Sequence, residues 1–441
     1  MKQIHRNPLR NLCLLAGASL LGTPFVLAQP APPPNPPPTA PPASQTPAPF
    51  GAPLPGLSAA ELAAFFQGQS TFEEVDTVST GLGPRFNLDS CAGCHAHPAI
   101  GGSSPAVNPQ VTRPLLLGAQ NTVPSFVEAN GPIRAVRFVL HSDGTPDGSV
   151  HDLFVITGRG DAPAACAIQQ PAFTPANNLA FRIPTPLFGM GLIEAISDAT
   201  LTANLAATAS QRQALGIAGR FNINANDGTV TRFGWKAQNK SPLMFAGEAY
   251  NVEIGVTNDM FPQERETNPA CATNATPEDA TDFATNTPSD IELFATFMRF
   301  LAPPPPAAGP ANPSVQRGGG VFNSVGCALC HTPVLQTSLS STAALSTQNV
   351  TLYSDLALHN MGQGLADGIS QGNAAGDEFR SAPLWGLSSR LFFLHDGRSQ
   401  DLTETIQLHA SAGSEANGVI ANFNALSAGA QQDLLNFLHS L

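Results

Sequence analysis

The sequence is poor in charged residues, and poorest in positive ones. Only 12% of its 441 residues are Asp, Glu, Lys or Arg, and 20 basic residues face 32 acidic ones, which gives a net charge of −12. A strongly acidic chain repels nucleic acid and anionic membrane surfaces. The composition therefore argues against nucleic acid as a partner. It leaves room for a small protein that docks on a local patch.

Long apolar runs are missing after residue 28, so the sequence predicts no membrane span. Residues 1–28 combine three basic residues, a short apolar run from Leu12 to Leu21 and a small-residue ending at Ala28, which is typical of a cleaved signal peptide. An uncleaved anchor is the alternative, but the run is short for a bilayer. Cleavage would leave 17 basic and 32 acidic residues, a net charge of −15, and it predicts a periplasmic protein.

Cysteine is scarce, with seven in the chain. Cys13 lies in the predicted signal peptide, and four others form two Cys-x-x-Cys pairs. Cys166 and Cys271 are left over. In an oxidising compartment the default for two such residues is a disulfide, which we expect here.

Each Cys-x-x-Cys pair is followed directly by His. The two motifs are Cys91-x-x-Cys94-His95 and Cys327-x-x-Cys330-His331. This spacing lets two thiols add to the vinyl groups of a haem while the next residue binds its iron. A zinc site would need further Cys or His pairs nearby, and a thioredoxin-like pair would not need the His. The sequence therefore predicts two covalently bound haem c groups.

The two motifs belong to an internal repeat. Phe86-Asn87 and Phe322-Asn323 stand at the same offset before their cysteine pairs, which indicates two copies of one haem-binding unit. We expect a mainly α protein with two cytochrome c-like haem domains, long irregular loops and at most minor β-structure. The predicted segments are a signal peptide (1–28), a Pro-rich disordered tether (29–56), an N-terminal haem domain (57–302), a Pro-rich linker (303–313) and a C-terminal haem domain (314–441).

Local patterns predict individual elements. Capping boxes at Ser58–Glu61 and Ser289–Glu292 predict two helix starts. Further helices are expected from Ser314 to Asn323 and from about Ser427 to the C-terminus. Two alternating apolar segments, 136–140 and 153–157, predict a small hairpin.

His409 is the candidate for a second ligand to the C-terminal haem iron. A helix is expected to start at Asp401, and it places Leu402, Ile406 and His409 on one apolar face. A histidine on such a face is often a core residue, but a domain that encloses a haem favours ligation. Met361 and His359 are the alternatives.

Three C-terminal stretches, with both haem motifs, carry a family resemblance. They are Ser354-Asp-Leu-Ala-Leu-His-Asn-Met-Gly-Gln-Gly-Leu-Ala-Asp367, Phe379-Arg-Ser-Ala-Pro-Leu-Trp-Gly-Leu387 and Phe393-Leu-His-Asp-Gly-Arg398. The sequence resembles the di-haem oxidoreductase, putative peroxidase family, which is often labelled "thiol oxidoreductase". That family is similar to the bacterial di-haem cytochrome c peroxidases.

The resemblance implies roles for further residues. In the peroxidases a Trp lies between the haems and an acidic residue serves the peroxide site, which matches Trp235 and Glu253 here, with Glu194 as the alternative acid. It also places a ligand of the second haem at His409. In some of these peroxidases a His shortly after the first motif caps the first haem, and no His occurs from Ala99 to Leu140 here, which implies a first haem that is open or water-bound. Several relatives hold calcium between the haems, but Ser381-Ala-Pro383 matches that site only loosely, so calcium is possible but unsupported.

The resemblance implies a peroxidase-like enzyme. A small soluble donor, of cytochrome or cupredoxin type, would pass electrons through the C-terminal haem to the N-terminal one. A non-catalytic electron-transfer cytochrome is a competing interpretation, and an oxygenase or protein-modifying oxidase on the same scaffold is another. The sequence does not indicate the oligomeric state.

Overall fold

The computed structural model describes residues 47–307 and 312–441. The predicted signal peptide, most of the predicted tether and part of the predicted linker lie outside these residues. The chain is 33% helical and 12% strand, which confirms a mainly α protein with minor β-structure. No helix in the described ranges is long and apolar enough to cross a bilayer.

The helices are short and are joined by long irregular segments. They are α1 (Ala59–Phe72), α2 (Cys91–Cys94), α3 (Arg113–Leu116), α4 (Met190–Glu194), α5 (Asp198–Ala207), α6 (Ala209–Ala214), α7 (Pro242–Ala249), α8 (Asp290–Phe300), α9 (Pro313–Val325), α10 (Gly362–Leu365), α11 (Leu402–Leu408), α12 (Asn417–Asn424) and α13 (Ala428–Leu438). A π-helical turn, Tyr250–Ile254, follows α7 directly.

All strands pair antiparallel. They are β1 (Arg85–Phe86), β2 (Ala135–Phe138), β3 (Val150–His151), β4 (Phe154–Val155), β5 (Leu179–Arg182), β6 (Asn222–Ile223), β7 (Val230–Thr231), β8 (Leu335–Gln336), β9 (Asn349–Val350), β10 (Leu358–Asn360) and β11 (Glu378–Arg380). The largest sheet has the order β3-β2-β5, and the other sheets are two-stranded: β1-β4, β6-β7, β8-β9 and β10-β11.

The predicted hairpin forms with a different second strand. β2 pairs with β3, with Val136 opposite His151, whereas β4 pairs with β1, with Phe154 opposite Phe86. Leu153 and Phe154 are fully buried, and a strand of continuous apolar residues is more stable inside the core than in a surface hairpin. The prediction was therefore wrong for 153–157.

Both predicted capping boxes are confirmed. The backbone N–H of Ser58 donates to Glu61 Oε2 over 2.8 Å at the start of α1. At the start of α8 the backbone N–H of Ser289 donates to Glu292 Oε2 over 3.2 Å. Each bond satisfies a backbone donor that has no partner inside the helix.

One close helix pair accompanies each haem motif. α1 packs on α8, and a Cβ added to Gly68 would lie 2.4 Å from Leu293 O. α9 packs on α13, and a Cβ added to Gly318 would lie 2.0 Å from Asp433 O. A glycine at each crossing thus allows the helix backbones to approach closely. This repeated arrangement is in keeping with two copies of one unit.

Residues 49–56, which the sequence assigns to the tether, are held on the fold. The backbone N–H of Leu54 donates to Phe300 O over 2.8 Å, and that of Ala302 donates to Ala52 O over 3.0 Å. Leu54 is buried in the main apolar core. Pairing with the end of α8 outweighs the extended preference of the Pro-rich composition here.

Contacts also cross the predicted linker. Arg212 donates from Nη1 to Asp355 Oδ2 over 3.2 Å, and both side chains are almost wholly buried. Ile217 packs in one apolar cluster with Val325 and Val419. The segment that carries Arg212 and Ile217 is therefore packed on the C-terminal part of the chain.

Cys166 and Cys271 form a disulfide, which confirms the expectation for this pair. The bond joins residues 105 apart in sequence, and both cysteines are buried. It ties the loop after β4 to the irregular segment before α8.

Candidate functional site

Two cavities lie in the interior, one at each Cys-x-x-Cys-His motif. The first, of about 150 Å³, is lined by Cys91, Cys94 and His95. The second, of about 210 Å³, is lined by Cys327, Cys330 and His331. Protein interiors are otherwise close-packed, so two large cavities that both carry the same thiol and imidazole set are features of the fold. The four motif cysteines form no disulfide with one another.

Each motif histidine is oriented by a backbone carbonyl. His95 Nδ1 lies 2.9 Å from Gly102 O, and His331 Nδ1 lies 3.1 Å from Tyr353 O. With Nδ1 as the donor, Nε2 keeps its lone pair, which is the tautomer that binds a metal. Burial lowers the pKa of both His95 and His331 to about 4, so both rings are neutral at pH 7. The donor set, the tautomers and the cavities fit a haem at each motif.

His409 lines the second cavity together with His331. Its Nδ1 lies 2.7 Å from Thr405 O, and burial lowers its pKa, so this ring too is oriented and neutral. Leu402 and Ile406 line the same cavity, as the helical spacing predicts. The side chain of Asp401 caps α11 by accepting from the backbone N–H of Glu404 over 2.7 Å.

Met361 and His359, the two alternative ligands, also line the second cavity, but the ring of His359 is hydrogen-bonded to other residues. Its Nδ1 lies 2.9 Å from Glu415 Oε2, and its Nε2 lies 3.1 Å from Asp355 Oδ2. Both ring nitrogens therefore face carboxylates. Among the described residues, no comparable contact holds the side chain of Met361.

His395 is a cavity residue that was not predicted from the sequence. It lines the second cavity and stacks on Phe379, with ring centroids 4.2 Å apart. Its centroid lies 6.5 Å from that of Trp235. The His-Asp-Gly motif contains His395, but no helical periodicity there indicates which way the side chain points.

Trp235 lines both cavities. Its Nε1 donates to Ile183 O over 2.9 Å, which fixes the indole. The next residue, Lys236, is fully buried and donates to Ala375 O over 2.8 Å and to Glu378 O over 3.0 Å. The indole of Trp235 is thus held by its own hydrogen bond, and the neighbouring backbone is held by the hydrogen bonds of Lys236.

Glu253 lines the first cavity from the π-helical turn. Its Oε2 accepts from Asn87 Nδ2 over 2.7 Å, and burial raises its pKa to about 7. A carboxyl group with a pKa near neutrality can both accept and return a proton at working pH. Glu194, the alternative acid, instead pairs with Arg299 through both carboxylate oxygens and lines neither cavity.

Asn87 is a residue that sequence reasoning did not assign to the site. It is buried, and it holds Glu253 by its side chain. The equivalent residue of the repeat, Asn323, is exposed and donates only to Gly319 O, over 2.9 Å. The internal repeat contains an Asn at this position in both copies. Only in the first copy does the structure place it against Glu253.

Two further side chains that could act as metal ligands line the first cavity, Met298 of α8 and Tyr250. The Tyr250 hydroxyl lies 3.3 Å from Asp76 Oδ1, which leaves Met298 as the uncommitted soft ligand there. Among the described lining residues His95 is the one histidine.

Calcium gains no candidate site. Ser381 Oγ donates to Asp355 Oδ1 over 2.6 Å, and Ile183 O accepts from Trp235. Within 47–307 and 312–441 no group of three or more His, Cys, Asp or Glu side chains is placed to hold a metal ion.

Two haem-binding motifs on two cavities define the class as a di-haem protein. The family described as "Di-haem oxidoreductase, putative peroxidase" matches residues 160–441. The chain belongs to this family, as its motifs predicted. No curated protein matches the chain.

Solved structures give distant likenesses. Hydrazine synthase of Kuenenia stuttgartiensis is 14% identical over 95% of this chain and 100% of that chain, with a TM-score of 0.37. A MauG-like protein associated with microbial copper homeostasis is 18% identical over 51% and 77%, with a TM-score of 0.30. The diheme peroxidase BthA of Burkholderia thailandensis is 13% identical over 48% and 65%, with a TM-score of 0.29. TM-scores this low carry no argument about activity.

Proposed function

We propose that this chain is a periplasmic di-haem c-type oxidoreductase that reduces hydrogen peroxide with electrons from a small soluble donor, a cytochrome or a cupredoxin. The observation that carries the proposal is the placement of two residues. Trp235 lines both cavities, and Glu253 presents a buried carboxyl group with a pKa of about 7 to the first. The net reaction takes one peroxide, two electrons and two protons to two waters.

The cysteines and histidines would hold the cofactors. Cys91 and Cys94 would form thioether bonds to one haem, with His95 on its iron, and Cys327, Cys330 and His331 would do the same for the other. The haems, when bound, would supply electron transfer and peroxide binding. His409 would be a further ligand of the second haem, and the second cavity would then be the electron-relay site.

Glu253 would act on protons in the first cavity. Its carboxylate would take a proton from one peroxide oxygen and return it to the other, which would leave as water when the O–O bond breaks. Two electrons from the donor and two further protons from solvent would take the remaining oxygen to a second water. Asn87 would hold the carboxylate in place. Trp235, fixed by Ile183, would carry the electron path between the two cavities.

The location follows from sequence and chemistry together. The predicted signal peptide would direct export, and thioether attachment of haem takes place outside the cytoplasm. The Cys166–Cys271 disulfide suits an oxidising compartment.

Peroxide turnover with a reduced cytochrome or cupredoxin tests the proposal. Glu253→Gln should slow turnover by about 10²- to 10⁴-fold, the usual contribution of a general acid–base. Glu194→Gln is the matched control, because Glu194 is paired with Arg299 outside both cavities, and it should keep the wild-type rate. Equal rates for wild type and Glu253→Gln would remove the assignment.

A non-catalytic di-haem electron carrier is the second candidate, because Met298 lines the first cavity and its thioether could close that iron. Spectroscopy of the oxidised protein separates the two functions. Two low-spin haems that do not respond to peroxide or cyanide would favour the carrier. A high-spin first haem that shifts with either ligand would favour the peroxidase.

A further inference from the structure

Most arginines in the described ranges form salt bridges with carboxylates, and a few do not. The described ranges contain fifteen arginines, and eleven of them form salt bridges with Asp or Glu. The four that pair with no described carboxylate are Arg134, Arg137, Arg380 and Arg390. In so acidic a chain, a guanidinium without a carboxylate partner is unexpected.

All four unpaired arginines line the two cavities, and they do so in pairs. Arg134 and Arg137 line the first, and Arg380 and Arg390 line the second. No other part of the described chain has arginines of this kind.

The first pair lies at the start of β2. Arg137 is only 8% exposed, its Nε has no hydrogen-bond partner, and its Nη1 donates to Gly148 O over 2.6 Å. Arg134 donates to two carbonyls, Asp396 O over 3.3 Å and Phe126 O over 3.2 Å. Burial, and next the like charge of Arg182, lower the pKa of Arg137 to about 10, and the more distant carboxylates Glu248, Glu253 and Asp367 offset this only in part.

The second pair lies on β11 and after the turn that follows it. Arg380 donates from Nε to Gly234 O over 3.1 Å and from Nη1 to Ser381 O over 3.2 Å, and Arg390 donates from Nη2 to Pro383 O over 2.6 Å. These carbonyls fix the guanidinium planes but leave N–H groups of both unpaired. The pKa of Arg380 falls to about 10 through burial and through the like charge of Arg390.

Arg137 is buried and the other three arginines are half-buried, and two like charges withdrawn from solvent at one cavity are costly unless a ligand supplies anions. A guanidinium binds a carboxylate in a planar, two-bond geometry that is stronger than a neutral hydrogen bond. A haem carries two propionate carboxylates, so each cavity would match two arginines to two anions.

We propose that Arg134 and Arg137 bind the propionates of the first haem, and that Arg380 and Arg390 bind those of the second. This inference rests on the proposed haem occupancy and not on peroxidase activity. The backbone N–H of Arg380 also donates to Trp235 O over 2.9 Å. A propionate held by Arg380 would therefore lie near the segment that carries Trp235, the residue proposed for the electron path.

Potentiometry of the haem-loaded protein tests the proposal. Each variant carries one substitution in one cavity, and the midpoint potentials of both haems are measured. A cation beside a propionate favours the reduced haem, so its removal should lower the midpoint potential. Arg380→Gln and Arg390→Gln should lower the potential of the second haem only, and Arg137→Gln that of the first only. Arg380→Lys should fall between wild type and Arg380→Gln.

Arg317→Gln is the control, because Arg317 is exposed, pairs with Asp433 and lines neither cavity, and it should change neither potential. Unchanged potentials in fully loaded Arg380→Gln and Arg137→Gln would overturn the proposal.

A crystal structure of the loaded wild-type protein decides the question if a variant fails to fold. Propionate oxygens within hydrogen-bond distance of these guanidinium groups would support the assignment, and propionates that point elsewhere would overturn it. The haem c absorption of wild type is the separate readout, because a chain without haem would overturn the proposed function as well.

Discussion

Asn87 and Glu253 are joined twice. Asn87 Nδ2 donates to Glu253 Oε2 over 2.7 Å, and the backbone N–H of Asn87 donates to Glu253 O over 2.7 Å. The first bond stabilises the carboxylate and the second fixes the chain that carries it. Because Asn87 stands four residues before Cys91, these two bonds link Glu253 to the first Cys-x-x-Cys-His motif.

Asn87→Ala should shift the pH dependence of peroxide turnover. The hydrogen bond from Asn87 lowers the pKa of Glu253 against the larger effect of burial, so its loss moves that pKa further up from about 7. The acidic limb of the rate profile should then move to higher pH. Loss of the bond to a buried acceptor should also cost about 1–3 kcal/mol of stability.

Asn323→Ala is the matched control, because Asn323 holds the same place in the second copy of the repeat and is exposed. It should leave the profile unchanged. A profile that Asn87→Ala does not move would contradict the positioning role.

Glu253 should give turnover its pH dependence. A base that accepts the peroxide proton must be ionised, so the rate should rise as pH increases through about 7. The same raised pKa makes Glu253 favour folding below its unfolded pKa, and this contribution is lost as pH rises through about 7. Chemical denaturation of Glu253→Gln between pH 5 and 8 should therefore show a weaker fall in stability with pH than that of wild type.

His409→Ala should convert the second haem from low-spin to high-spin. His409 faces the cavity with its Nδ1 held by Thr405, whereas both nitrogens of His359 face carboxylates. His359→Gln should therefore leave the spin state unchanged. Electron paramagnetic resonance of the oxidised protein measures both. An unchanged second haem in His409→Ala would move the assignment to Met361 or His395.

Trp235→Leu should slow electron transfer between the haems without changing haem content. Trp235 lines both cavities, whereas the chain's other tryptophan, Trp385, lines neither. Trp385→Leu is therefore the control. Stopped-flow mixing of the reduced protein with peroxide follows the two haems separately. Equal transfer rates in the two variants would argue against a bridging role for Trp235.

Loss of the Cys166–Cys271 disulfide should destabilise the fold. Closing a loop of about 100 residues is worth about 4–5 kcal/mol in the chain-entropy model, and these residues are 105 apart. The double variant Cys166→Ser, Cys271→Ser should unfold at lower denaturant concentration. A reductant should shift the unfolding midpoint of wild type and not that of the variant, and an equal midpoint for both proteins would contradict the prediction.

Features that are encoded within a few residues could be predicted before the fold was known. The haem motifs, the helix caps and the apolar face of α11 each depend on spacing inside one or two helical turns, where covalent geometry fixes which side chains are neighbours. The family could be identified for the same reason, since its motifs are local.

Tertiary structure decided what depends on residues far apart in the chain. The choice of Glu253 over Glu194, the bond from Asn87 to Glu253 across 166 positions, and the placement of Trp235 on both cavities all arise from packing. The hairpin prediction failed for this reason, because burial of Phe154 against β1 outweighed local pairing. The four unpaired arginines are equally a property of the fold, because a sequence shows which charges exist and only packing shows which of them meet.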